Sequence, residues 1–315
     1  MDVLRPVFAS DRLAGSIPTY YGRPAIKASP YSWIVATYIF TGALAAGLQI
    51  VVTAADLLGI SGSADVSLIG RAIALGGAIL GGILLIAELH TKQRFYNMLR
   101  IFRPTSPMSI GTYVLIGFGF WSLIAFLGQL FGVALLGRVC GCLAAVTGLM
   151  SYTAALLSAT ATPLWAAVPK LLAMRFASSA IATGAAAASL VALGVATGSG
   201  LVRAFGNVSA LALLLELVAS MAAMTVRRRM GVNGPLQETP WGPIYLFGVL
   251  LFGNVAPLVL YILINLYGES TGVLALAASV CVLCGGFLMR GAVLLAGNES
   301  ARRPQDYLRF TQVRA

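Results

Sequence analysis

Apolar residues in this chain come in long unbroken runs, not in the alternating or one-faced patterns of a soluble domain. Eight runs stand out, at about 33–55, 66–88, 109–133, 139–162, 170–196, 205–226, 241–266 and 272–295. Each is near the roughly 20 residues a helix needs to cross a hydrocarbon layer of about 30 Å. The third and fourth are separated only by a short turn around Leu136 to Arg138. The pattern predicts an all-α polytopic membrane protein with eight transmembrane helices. The first 31 residues are polar, mixed in charge and carry Pro6, Pro18, Pro24 and Pro30. The first apolar run is longer than the core of a typical signal peptide, so it reads as a true first helix.

Composition agrees with the pattern. Hydrophobic residues make up 59% of the 315 and charged residues only 10%, against about 25% charged in a soluble domain; mean hydropathy is +0.89. In water such a surface would associate through large apolar patches. Charge then gives a direction. With eight spans both ends of the chain lie on one side, which also receives the loops around Lys92 to Arg103, Lys170 to Arg175 and Arg227 to Arg229. That side carries 17 of the 21 Lys and Arg residues. The positive-inside rule makes it cytoplasmic, in a cell inner membrane; the same basic face also suits an acidic partner subunit. The net charge of +11 comes from these loops, and no interleaving of aromatic and basic residues suggests nucleic acid.

The chemistry inventory is short. His90 is the one histidine, too few for a haem held by two histidines. Cys140, Cys142, Cys281 and Cys284 lie within predicted spans; the CxxC pair has no second pair near it, and an iron–sulfur cluster takes four ligands. They read as small apolar helix residues. Glycines such as Gly42, Gly76, Gly77, Gly81 and Gly82 suit close helix packing in lipid. Ionisable groups at membrane depth are costly and therefore informative. Glu216 falls near the middle of the sixth run, about 16 Å of helix rise from either end, either as a protonated or paired functional group or as a structural one. Arg71 lies about a turn inside the second span, either snorkelling or paired with Asp56 or Asp65. Glu88 ends the second span. Tyr38 and Tyr152 lie inside the first and fourth.

The most specific text runs from Ala87 to Ser109: Glu88, then Arg94-Phe95, then Leu99-Arg100, then Pro104-Thr105-Ser106-Pro107-Met108-Ser109. An acid at a helix end is followed by a short amphipathic stretch, with Phe95, Met98, Leu99 and Phe102 on one face, and by a turn that starts the next helix. Such a segment suits the interface, closing one end of a four-helix bundle. This text resembles the NrfD/polysulfide-reductase membrane-subunit family. Tyr20-Tyr21-Gly22, Gly42 to Gly47, Ser151-Tyr152-Thr153-Ala154 and Pro163-Leu164-Trp165 agree with it, most strongly over residues 20–165.

The resemblance implies two four-helix bundles. A polar segment (1–32) would precede a first, quinone-binding bundle (33–165) and a second bundle (166–296), with a basic tail (297–315) after them. It implies a subunit that exchanges electrons between quinone, as menaquinone or ubiquinone, and a ferredoxin-like iron–sulfur subunit, which carries a molybdopterin or cytochrome catalytic subunit. No haem or cluster would reside in this chain. Carried over by position, Glu88 and Tyr152 are the catalytic pair, and Tyr38, Glu88, His90 and Tyr152 surround the quinone. Val35 is apolar where some members have asparagine. His90 stands where many have glycine. Arg94, Arg100 and Arg103 would dock the partner, and Glu216 is a candidate proton path. A secondary transporter of two four-helix repeats and a plain membrane anchor are the competing readings. The first lacks support from self-similarity between the two halves.

Overall fold

The computed structural model describes residues 31–60, 62–89, 95–96, 100, 102–149, 157–195, 199–267 and 272–314. The elements that matter are helices. In chain order they are α1 (Trp33–Leu57), α2 (Ser63–Glu88), α3 (Pro107–Leu130), α4 (Ala134–Leu149), α5 (Pro169–Gly194) and α6 (Ser199–Arg229). There follow α7 (Trp241–Tyr267), α8 (Gly272–Arg302) and α9 (Pro304–Arg314). Seven of them are long and apolar enough to cross a membrane, and α4 is a shorter apolar helix. No strand occurs among the described residues.

The ends follow local chemistry. Ser32 caps α1, its hydroxyl accepting from the Ile34 amide at 3.1 Å. The predicted Pro-Thr-Ser-Pro turn precedes α3, with Ser106 at the cap and Pro107 in the first turn, where a missing N–H costs nothing. The Arg103 amide donates to Ser109 Oγ at 3.0 Å. Within α7, Ile244–Val255 winds as a wide π-helix, the Ala256 N–H reaching back to the Leu251 carbonyl. Pro257 explains part of this, because it supplies no N–H and crowds the carbonyl four residues before it.

Helices α1 to α4 close a ring: α1 on α2, α2 on α3, α3 on α4, α4 back on α1. Helices α5 to α8 close a second ring in the same order. The two share a seam, since α1 also packs on α5 and α8. The seam is tight because it is made of glycine: a Cβ on Gly47 would fall 1.8 Å from the Ala180 carbonyl oxygen, and one on Gly184 2.1 Å from the Gly47 carbonyl carbon. In lipid, where apolar side chains gain nothing by leaving the solvent, such close approach is what holds helices together. Gly77 likewise meets Ala45 of α1, whereas Gly42, Gly76 and Gly82 have open space at their Cβ positions. Large side chains such as Ile83, Phe120, Leu211, Phe247 and Ile262 are exposed on the outer faces, as a lipid-facing surface requires.

Three boundaries differ from expectation. Helix α6 extends from Ser199 to Arg229 and α8 to Arg302, because polar residues at span ends continue the helix where hydropathy falls. The segment expected as a basic tail contains the helix α9. Helix α4 starts at Ala134, before Arg138, which is exposed near its beginning.

Candidate functional site

Glu88 ends α2 beside the beginning of α1. Ser32 Oγ lies 3.1 and 3.0 Å from its two carboxylate oxygens. One serine thus caps α1 and ties it to α2. The free N–H groups at the start of α1 favour a negative charge there. Arg94 lies outside the described residues, and Arg100 is exposed with no ion pair to Glu88 among them. Arg103 is also exposed.

Below Glu88 lies an apolar pocket walled by all four helices of the first ring. Tyr38, Gly42 and Ala46 come from α1, Gly81 from α2, Phe118 from α3 and Thr147 and Gly148 from α4. Tyr38 is six residues from Ser32, about 9 Å of helix rise, and Gly81 is seven from Glu88, about 10 Å. Both helices therefore put the pocket at the same depth beneath the carboxylate. The open space at Gly42 is this pocket. Its enclosed part is about 60 Å³, less than half of the roughly 150 Å³ apolar cavity that accepts benzene. A ring the size of a quinone head group enters only if the walls move apart. His90 and Tyr152 lie outside the described residues.

At the opposite end of the first ring sits a buried ion pair. Arg71 Nη2 donates to Asp56 Oδ2 at 2.8 Å, resolving the alternatives in favour of Asp56. Its Nη1 donates to Gln129 Oε1 at 2.8 Å and to the Ala125 carbonyl at 3.3 Å. Ser67 donates to the other Asp56 oxygen at 2.5 Å. Arg71 is fully buried, so it does not snorkel.

The second ring holds Glu216, 2% exposed. Arg175, Arg290, Ser179 and Asn254 are close enough to act on its charge. Arg290 donates to Ser179 Oγ at 3.2 Å and to the Gly286 carbonyl at 2.9 Å, with its guanidinium over the Phe40 and Phe176 rings. Arg175 lies 4.9 Å from the Tyr245 ring centroid. Asn254 comes from the π-helical part of α7, and wide turns of this kind are frequent at functional sites. Arg227 donates from Nε to the Leu164 carbonyl at 2.9 Å. Arg175 and Arg227 are thus corrections to the charge count: both were assigned to the basic face, and both are 1% exposed inside the protein. They sit at span ends in the sequence, and only the facing of the helix shows that they point inward.

Sequence reasoning found Glu216 but not its surroundings. The signal for Arg290 was its position within an apolar run; Ser179 and Asn254 carried none. Among the described residues no group of three or more His, Cys, Asp or Glu could hold a metal ion, and the four cysteines are free.

No curated protein matches the chain. A family model does, from residue 25 to 300, which takes in both rings of helices and the segment between α2 and α3. The chain therefore belongs to the family described as Polysulphide reductase, NrfD.

Proposed function

We propose that this multi-pass membrane protein, as a membrane subunit of a respiratory oxidoreductase like other NrfD-family chains, exchanges electrons between the quinone pool and a docked ferredoxin-like iron–sulfur subunit. Through that subunit it would serve a molybdopterin or cytochrome catalytic subunit. The observation that carries the reading is the apolar pocket walled by α1 to α4, containing Tyr38 and lying beneath the Glu88 carboxylate.

Oxidation of a quinol releases two electrons and two protons. The electrons leave for the partner's cluster. Glu88 accepts the two protons in turn, positioned by Ser32 and close enough to water to pass the first on before it takes the second. Tyr152 donates a hydrogen bond to a quinone carbonyl, and His90 and Tyr38 complete the surroundings. The exposed Arg100 and Arg103, with Arg94, hold the partner by charge complementarity. Basic residues gathered at this end favour a cytoplasmic orientation in the cell inner membrane. The deciding experiment replaces Tyr152 by Phe and Glu88 by Gln in the assembled complex. Loss of quinol-linked turnover with assembly intact supports the site; unchanged turnover refutes it.

Glu216 favours an addition to this reading, a proton path through the second ring, because a carboxylate at that depth is rarely kept without use. Proton translocation measured on Glu216→Gln tests it, and normal pumping by the variant removes the idea.

A further inference from the structure

At the basic end of the second ring, the loop after α6 and the first turns of α9 line a half-open polar cavity of about 660 Å³. This is within the ~300–1,000 Å³ of small-molecule sites. Arg228, Asn233, Glu238, Arg303, Asp306 and Arg309 line it. Its depth is fixed by the helices: it lies where α6 ends at Arg229 and α8 at Arg302, which is the level of lipid phosphates for spans of this length.

The loop is shaped to bring donors together. Gly231 takes a positive φ of 68°, and its carbonyl accepts from Arg309 Nη1 at 3.2 Å. At Gly234 a Cβ would fall 2.2 Å from Arg303 Nη1, so glycine lets that guanidinium lie against the backbone. Arg303 is shared with Glu238 at 2.6 Å. Two further side chains point to an occupant. Asn233 is 2% exposed, and both ends of its amide lack a hydrogen-bond partner among the described residues. Arg228 is exposed and makes no hydrogen bond or ion pair among them. Asp306 accepts from the Ser300 hydroxyl at 3.2 Å, and three guanidiniums against two carboxylates leave the lining cationic.

We propose that this cavity binds the phosphate of an anionic lipid headgroup, with Arg228 and Arg309 on the phosphate oxygens and the Asn233 amide on the headgroup hydroxyls. The inference is independent of the quinone site, which lies in the other ring. It would fix the second ring to the inner leaflet through a chosen lipid instead of through general charge attraction.

The test uses the purified full-length chain in detergent, with phosphatidylglycerol and phosphatidylcholine titrated separately and retention read by native mass spectrometry. Phosphatidylglycerol is expected to be retained preferentially. Arg228→Gln should weaken its retention about ten-fold, the effect of losing one charge-assisted hydrogen bond to the phosphate. Arg229→Gln removes the same charge one residue away, outside the cavity lining, and should leave retention unchanged. Asn233→Leu should weaken it without any change in charge. Equal retention of the two lipids, or equal losses in the Arg228 and Arg229 variants, would overturn the proposal. So would a thermal shift with inorganic phosphate but none with phosphatidylglycerol, which would point to a soluble ligand. Preferential retention that disappears only when an iron–sulfur partner is bound would assign the cavity to protein docking and equally overturn it. Arg228 is exposed and makes no contact the fold depends on, so its variant keeps the test usable if the loop variant at Asn233 fails to fold.

Discussion

Gly184→Ala is the sharpest perturbation of the seam between the two rings. The added methyl would lie 2.1 Å from the Gly47 carbonyl carbon and 2.2 Å from the Leu48 nitrogen, where ordinary contact begins at 3.4 Å. Backbone cannot swing aside as a side chain does, so α1 and α5 must separate by about 1.3 Å. Gaps of 0.5–1 Å already forfeit roughly a quarter to a half of a dispersion contact. The side chains at risk are Leu48, Val51, Val52 and Ala55 of α1 and Ala185, Ala186 and Ala188 of α5, which share one buried cluster. Overpacking against movable side chains costs about 1–3 kcal/mol; against backbone, about 3 kcal/mol or more is expected. Gly76→Ala is the control. Nothing lies within 4 Å of its Cβ, and alanine's helix propensity stabilises it by up to about 1 kcal/mol. Gly184→Ala gains the same propensity, so the two variants should differ by the clash alone, about 3 kcal/mol, read from unfolding in mixed micelles by far-ultraviolet circular dichroism. If they unfold within about 1 kcal/mol of each other, the seam is not the contact described.

Asp56→Asn leaves Arg71 buried with no countercharge and should destabilise by about 3–5 kcal/mol, whereas Asp56→Leu with Arg71→Met should recover most of it; the same unfolding measurement decides, and a double variant no better than the single would contradict the pairing. Asp306 gives a pH dependence. Its carboxyl is raised from 3.8 to about 6 by burial, so the fold favours the protonated acid. That contribution, about 3 kcal/mol, is full below pH 4 and lost as pH rises through 6. Asp306→Asn should match the wild type at low pH and exceed it near pH 7.5, and a constant difference in melting temperature across this range would sink the argument. Gly42→Leu fills the pocket beside Tyr38 without a clash at Cβ and should abolish quinol-linked turnover while leaving complex assembly intact; normal turnover with assembly intact would place the quinone elsewhere.

The architecture was legible because lipid imposes one requirement, uninterrupted apolar length, and the chain states it eight times. The boundaries at Arg229 and Arg302 were not, since hydropathy falls before helix does. The carboxylate at Glu88 and the phenol at Tyr38 could be singled out as polar groups in apolar text. Their relation could not: that Ser32 bonds Glu88, and that Gly42 and Gly81 open a space between helices, depends on which faces meet. The small residues illustrate the same limit. Gly42 and Gly47 look alike in the sequence, yet one faces a pocket and the other another helix's backbone.

Glu216 shows why that limit matters for function. Read alone, it is one acid at the membrane midplane, and replacing it tests a proton path. In the structure it stands among Arg175 and Arg290, so Glu216→Gln also strips a countercharge from two buried guanidiniums. A loss of pumping in that variant would not distinguish a broken path from a disturbed bundle. Pairing it with Arg290→Gln separates the two effects, because the double variant removes one charge of each sign. If Glu216 is only a structural countercharge, the double variant should recover stability and, in a complex that pumps, proton translocation together. If it carries protons, stability should return and translocation should not. Recovery of both would end the proton-path reading.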